Sequence, residues 1–219
     1  MSIPIPTVKR LPSYLRILNQ RKEMGEEYIS ATHLAEELGL KPIQVRKDLS
    51  LTGIEGKPKV GFEIEELISS IIHTLGWDNT TDALIVGAGN LGSALACYDG
   101  FSTYGLRIVA IFDKDPGKVG GKIGSMTVLP MEKLNSYIAE NRISIAVITV
   151  PALQAQAVSD LLVKCGIRGI WNFAPKDLKV PSSVVLQRTD LATSFAVLSV
   201  KLGHRIHEEE DLLVDIDMI

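Results

Sequence analysis

Three glycines, Gly87, Gly89 and Gly92, follow the apolar run DALIV in G-x-G-x-x-G spacing. That pattern suits a diphosphate. The first glycine allows a tight turn, the second lets backbone approach the phosphates, and the third lets the next helix close on the strand. Ala88, Asn90 and Leu91 complete the loop, whose free N–H groups would meet the anion. A second apolar run, RIVAIFD, ends at Asp113, 21 residues beyond Gly92. A carboxylate there accepts hydrogen bonds from the ribose hydroxyls of NAD(H) and repels the 2′-phosphate of NADP(H). Lys114, its neighbour, works against that preference, and NAD(H) is the favoured reading.

Groups able to turn a bound nucleotide into a reaction are scarce. A dehydrogenase needs a proton donor or acceptor near the nicotinamide and a pocket for its substrate. The four histidines, at 33, 73, 204 and 207, do not follow any apolar strand-like run. Tyr98 is near the glycine helix but is as readily a packing residue. Cys97 and Cys165 sit in apolar helix-like stretches and read as buried thiols of a reducing compartment. No cluster has metal-ligand spacing. The residues point to binding rather than catalysis. Two alternatives stay open: an oxidoreductase with an added module, and a sensor of another nucleotide such as CoA or NADPH.

The elements that must hold these residues alternate along the chain. DALIVG and RIVAIFD read as strands, MEKLNSYIAENR as a helix and ISIAVITV as a strand. LQAQAVSDLLVKCG reads as a helix, GIWNF and SVVLQ as strands, and about Leu191 to Ile206 as a last helix. Such alternation is the pattern of an α/β, Rossmann-like doubly wound parallel sheet. The strand ends Val150-Pro151 and Asn172-Phe173-Ala174 would then lie along the crevice where ligands bind.

Ahead of this stand some eighty residues of another kind. A helix is expected from Pro12 to Gly25. A second starts at its N-cap Ser30 and ends at Gly39, and a third is opened by Pro42. Two short helices with a tight glycine-containing turn make a helix-turn-helix. Ile43, Val45 and Leu49 would face inward, and Gln44, Arg46, Lys47 and Ser50 outward. In such a motif Arg46 or Lys47 can bond guanine and Gln44 adenine. GIEGKPKVGF reads as a hairpin wing carrying Lys57 and Lys59 toward phosphate, and Arg10 joins the same basic set. FEIEELISSIIHTLG would link to the next domain. Residues 1–60 hold ten Lys and Arg against seven Asp and Glu, although the whole chain carries −3. An acidic total therefore does not exclude an anion-binding N-terminal domain. No apolar run approaches the ~20 residues that span a bilayer, and a cytoplasmic location is expected.

PIQVRKDLS with the wing GKPKVGF, then GAGNLGSALACY, IVAIFDKDPGKVG and NFAP, closely resembles the redox-sensing transcriptional repressors called Rex. The likeness runs from about Leu11 to Ile206. It implies a winged-helix DNA-binding domain at 1–80, with the helix-turn-helix at about 12–53 and the wing at about 54–62. A Rossmann NAD(H) domain at 81–188 would follow. A C-terminal domain-swapped helix at 189–206 and an acidic tail at 207–219, read as a frayed solvated end, would complete the chain. The resemblance further implies a homodimer on inverted-repeat double-stranded operator DNA, released by NADH and competed more weakly by NAD⁺. Tyr98 and Asp190 would meet in one state, and Arg16 and Asp190 in the other. Leu191, supplied by the partner, would cover the nicotinamide. The resemblance assigns the acidic tail no role.

Overall fold

The computed structural model describes residues 3–216, with the side chains of Leu191 and of residues 207–216 outside the description. It has two compact units. One is built on the chain up to Thr80 together with Ser102–Leu106, the other on Thr81–Phe101 and the chain from Arg107 onward.

The first unit holds α1 (Ile5–Glu23), β1 (Tyr28–Ile29), α2 (Ala31–Leu38), α3 (Pro42–Ser50), β2 (Phe62–Glu63) and α4 (Ile64–Leu75). Leu11, Tyr14, Leu18, Leu34, Leu49 and Leu67 meet in its core with no exposed surface. α2 is framed as its sequence suggests. The Ser30 hydroxyl accepts from the His33 N–H at 3.1 Å, and Gly39 ends the helix in the left-handed conformation. α1, in contrast, starts at Ile5 rather than at Pro12, which stands exposed within the helix. A proline there removes one helical hydrogen bond. What holds the extra turns is tertiary: Thr7 and Arg10 bond Asp48 of α3, as does Tyr14 beyond the proline. The wing is tighter than a regular hairpin. Within it Lys57 and Gly61 form a single bridge, and β2 pairs antiparallel with β1. Gly61 is required there, because a Cβ would sit 2.4 Å from the Ile29 carbonyl oxygen.

The chain continues with β3 (Thr81–Val86), α5 (Asn90–Ala96), the short α6 (Gly100–Thr103), whose last two residues count with the first unit, β4 (Leu106–Asp113), whose first residue does so too, β5 (Lys122–Ile123) and β6 (Met126–Pro130) of the second unit. α7 (Leu134–Asn141), β7 (Ile145–Ile148), α8 (Ala152–Lys164), β8 (Gly169–Asn172), β9 (Val185–Arg188) and α9 (Leu191–Ile216) complete it. The sheet order is β5-β6-β4-β3-β7-β8-β9, with β5 antiparallel to β6 and the β3-β7-β8-β9 side parallel. Without β5 this is the doubly wound order 3-2-1-4-5-6, whose switch point lies between β3 and β7. The strands read as unbroken apolar runs because both faces are covered. Leu84, Val86 and Phe112 enter one core layer, while Ile85 and Ile111 enter the other.

Two expectations are corrected here. Cys97 is exposed, not buried, because it lies at the end of α5 beyond the helix's packed face; Cys165 is half-buried. The last helix does not stop near Ile206: its backbone runs to Ile216 through the acidic stretch expected to fray.

Candidate nucleotide groove and nucleic-acid surface

Asp113 ends β4 beside the glycine loop. Its Oδ2 accepts from the Ala88 N–H at 2.7 Å and from Lys118 Nζ at 3.2 Å, and its Oδ1 from the Asp115 N–H at 2.9 Å. Burial pushes this carboxyl up. The N–H groups of Asp115 and Ala88 and the Lys118 ammonium outweigh that and hold it below its ordinary range. It is therefore a fixed anion at the mouth of the switch point. The cation against it is Lys118, five residues on, rather than the expected Lys114.

The loop itself is tied from behind. Thr149, just after β7, donates its hydroxyl to the Gly87 carbonyl at 2.8 Å, and Gly87 takes φ +112°. Gly92 packs so closely that a Cβ would lie 1.9 Å from the Gly87 carbonyl oxygen. At Gly89 a Cβ would meet nothing within 4 Å. One glycine closes the loop and the other faces open space, the division of labour that a diphosphate site needs. The first-turn N–H groups at Asn90, Leu91 and Gly92 have no acceptor within α5.

In front of the loop lies a groove of about 920 Å³. It brings together Gly87, Gly89, Leu91, Asp113, Lys114, Val150, Pro151, Phe173 and Ala174 of the expected residues. Thr149, Lys118, Met131, Leu153 and Leu161 also line it and were missed. Thr149 and Lys118 act on backbone and carboxylate from sites that no spacing rule marks. Asn172 does not line the groove. It is buried and clamps the following turn, with its Oδ1 accepting from the Ala174 N–H and its Nδ2 donating to the Ala174 and Lys176 carbonyls.

Tyr98 and Asp190 stand outside the groove. Tyr98 is half-exposed and packs edge-on against Phe101, with ring centres 5.0 Å apart. Phe101 meets Trp171, which meets the groove residue Phe173. Trp171 also donates its indole N–H to Thr189, next to Asp190. Asp190 accepts from Arg188 at 2.7 Å and from the Ala192 N–H at 3.0 Å, capping α9. Arg16 is exposed on α1.

The DNA-directed residues divide in the same way. Arg46, Ser50, Lys57 and Lys59 line a cleft of about 610 Å³ with Ser30, Ala31 and Thr32 at the start of α2. Lys47 is exposed on α3. Lys57 donates to the Tyr28 hydroxyl at 3.2 Å, and Lys59 stands exposed at the wing tip with φ 63°. Arg10 and Gln44 are drawn inward instead. Arg10 gives Nε and Nη2 to the Asp48 carboxylate at 2.6 and 2.8 Å, and Gln44 Nε2 lies 3.1 Å from the same group. Arg10 thus orients α3 and is no free phosphate ligand. The expectation for Ile43 also fails: it is 66 % exposed, because the α3 face toward the core is taken by Val45, Asp48 and Leu49.

Residues 2–50 match the model of a family described as putative DNA-binding protein N-terminus, and residues 78–176 match the CoA binding domain model. The redox-sensing transcriptional repressor Rex of Treponema denticola is 45 % identical over 90 % of this chain and 94 % of its own. That of Chloroflexus aurantiacus is 42 % identical over 94 % and 96 %. The chain belongs to the Rex family. Among solved structures it is similar to the Rex-family repressor RSP. In complex with β-NAD⁺ and operator DNA, that structure gives TM-score 0.88 at 36 % identity, covering 96 % of this chain and 97 % of RSP. RSP in complex with β-NADH gives 0.86 at 35 % identity, covering 96 % and 99 %. Rex relatives are transcriptional repressors, and the α/β architecture described above is theirs. Among the described residues, no helix is long and apolar enough to cross a membrane.

Proposed function

We propose that this protein is a cytoplasmic repressor that senses the NADH/NAD⁺ balance, binding operator DNA as a homodimer and leaving it when NADH binds. The observation that carries this reading is the union, in one Rex chain, of a glycine loop and fixed Asp113 at the sheet's switch point with an exposed basic stripe on α3. The residues fit a dinucleotide: the Gly92 packing leaves no room for a side chain, while Gly89 leaves space for phosphate. The likeness to RSP, solved with NAD⁺ and operator DNA and also with NADH, supports both ligands for this chain.

Both redox forms share adenine, riboses and diphosphate, so the loop and Asp113 hold them nearly alike. A ligand shifts an equilibrium only through different affinity for its two states. Discrimination must come from the nicotinamide, cationic in NAD⁺ and neutral in NADH. The wall formed by Val150, Pro151, Leu153 and Phe173 is apolar and disfavours a desolvated cation. Leu191 of the partner subunit is proposed to add to that cover. Asp190 would alternate between Tyr98 and Arg16, leaving its present Arg188 partner when it does so. The aromatic line from Tyr98 through Phe101 and Trp171 to Phe173 offers the physical route from groove to Asp190. A near-complete switch needs about 5 kcal/mol of differential binding, which two symmetric sites can share.

The dimer rests on α9. Phe195 and Leu198 are 69 % and 61 % exposed, with Leu202 one turn on also open, an apolar face that its own chain leaves uncovered. Leu198→Glu is expected to convert dimer to monomer in sedimentation at micromolar concentration and to lose operator binding with it. An unchanged dimer would exclude this face. Asp113→Ala is expected to weaken NADH and narrow its margin over NADPH, read by titration calorimetry. With the carboxylate gone, Lys118 remains to meet a 2′-phosphate. Equal binding of both by the unaltered protein would refute the assignment.

The rival reading is an oxidoreductase with an added DNA-binding module. Incubation with NADH, operator and a panel of carbonyl compounds separates the two. The sensor releases DNA and leaves NADH unoxidised; turnover would favour the enzyme.

A further inference from the structure

The outward face of α3 carries Ile43, Arg46, Lys47 and Ser50, all exposed, at i, i+3, i+4 and i+7. These form one continuous stripe. Three of the four are hydrogen-bond donors; the first is an isoleucine, 66 % exposed, on the opening turn. Its neighbour Gln44 is the polar side chain that would ordinarily read a base from this turn. Gln44 is held at 3.1 Å by Asp48, itself fixed by Arg10, Tyr14 and Thr7. The opening turn of the stripe therefore presents a stiff branched hydrocarbon flanked by cations. In the major groove the one apolar feature of a base edge is the thymine C5-methyl group, and the leading residues of a recognition helix are those that reach base edges.

We propose that Ile43 is a specificity-determining residue that packs on the C5-methyl of one thymine in each operator half-site. The proposal rests on the DNA-binding reading above and adds to it a base and an atom. Arg46 and Lys47, one turn further along the stripe, would then contact neighbouring base or phosphate groups. Gln44 keeps its Asp48 partner instead of reading adenine.

The test uses the full chain and operator duplexes recovered by selection from a random pool. Each thymine of one half-site is replaced in turn by deoxyuridine, which removes only the methyl group. Binding to the unaltered protein and to Ile43→Ala is followed by fluorescence anisotropy at fixed salt. At one thymine the replacement is expected to weaken the unaltered protein about fourfold, the effect of withdrawing one methyl from an apolar contact. The same replacement is expected to leave Ile43→Ala unaffected, and that variant, changed on the surface, should keep the thermal midpoint of the unaltered protein. Indifference to every deoxyuridine overturns the proposal, as does a loss that persists in Ile43→Ala. In both of these cases the repressor reading survives. Failure of the unaltered protein to select any duplex overturns both together.

Discussion

Gly92→Ala is expected to weaken NADH binding about 10- to 100-fold and to leave a protein that NADH no longer releases from operator. The new Cβ would stand 1.9 Å from the Gly87 carbonyl oxygen and 2.7 Å from Thr149 Oγ1. The first of these is backbone and has no rotamer by which to retreat, so the loop must move. Forced displacement of a packed segment costs about 1–3 kcal/mol, which is the source of the range. Gly89→Ala makes the comparison sharp. Its Cβ would meet no protein atom within 4 Å and its φ of −85° suits alanine, so stability should hold. Its Cβ would instead obstruct the approach of the diphosphate. Calorimetric titration with NADH, together with thermal unfolding, separates the cases: Gly92→Ala loses affinity and stability, and Gly89→Ala affinity alone. Full NADH affinity in Gly89→Ala would mean that the diphosphate does not cross this glycine.

Asp48→Ala is expected to destabilise the first unit by about 3 kcal/mol and to abolish operator binding. Asp48 is almost wholly buried and gathers Arg10, Tyr14, Thr7 and Gln44 around one carboxylate. Removing it leaves a partly buried guanidinium and a buried phenol without their acceptor, the more damaging way to break such a pair. It also frees α3 from α1, so the stripe from Ile43 to Ser50 loses its orientation. The pH response gives a second check. Burial pushes the Asp48 carboxyl up, but its donors, Arg10 first, outweigh this and hold it below its ordinary value of 3.8. A carboxyl lowered in the folded state adds stability above its unfolded pKa, and that stability is lost as pH falls through the folded value. Below about pH 4 the unaltered protein should therefore lose stability more steeply than Asp48→Ala. Denaturant unfolding across that range measures both slopes. Equal slopes, with equal stability at neutral pH, would show the cluster to be inert.

The residues most legible in the sequence were those whose job is local. Gly87, Gly89 and Gly92 answer to a turn and a close approach, Ser30 and Gly39 to helix ends, and the apolar strands to burial on both faces. Each is decided within a few residues of chain. What escaped was decided at a distance. Pro12 reads as a helix start, yet α1 runs through it because Thr7 and Arg10 reach Asp48, 41 and 38 residues away. Arg10 and Gln44 look like free donors until that buried carboxylate is known. Ile43 looks like core because it is apolar, and only the packing of Val45, Asp48 and Leu49 turns it outward. Lys118 and Thr149 lie off any spacing rule, since they act on Asp113 and Gly87 through the folded sheet. The strands β5 and β6 were also missed: β5 has only two residues, and in β6 Thr127 and the terminal Pro130 interrupt the apolar run.

The most direct test holds total nucleotide constant and varies only its redox state. The full chain is bound to a labelled operator, and the NADH fraction of a fixed NAD(H) pool is raised stepwise while anisotropy reports bound DNA. DNA should stay bound in pure NAD⁺ and be released as NADH rises, with no NADH consumed. Release to the same extent by NAD⁺ and NADH, or by neither, would contradict the sensor reading.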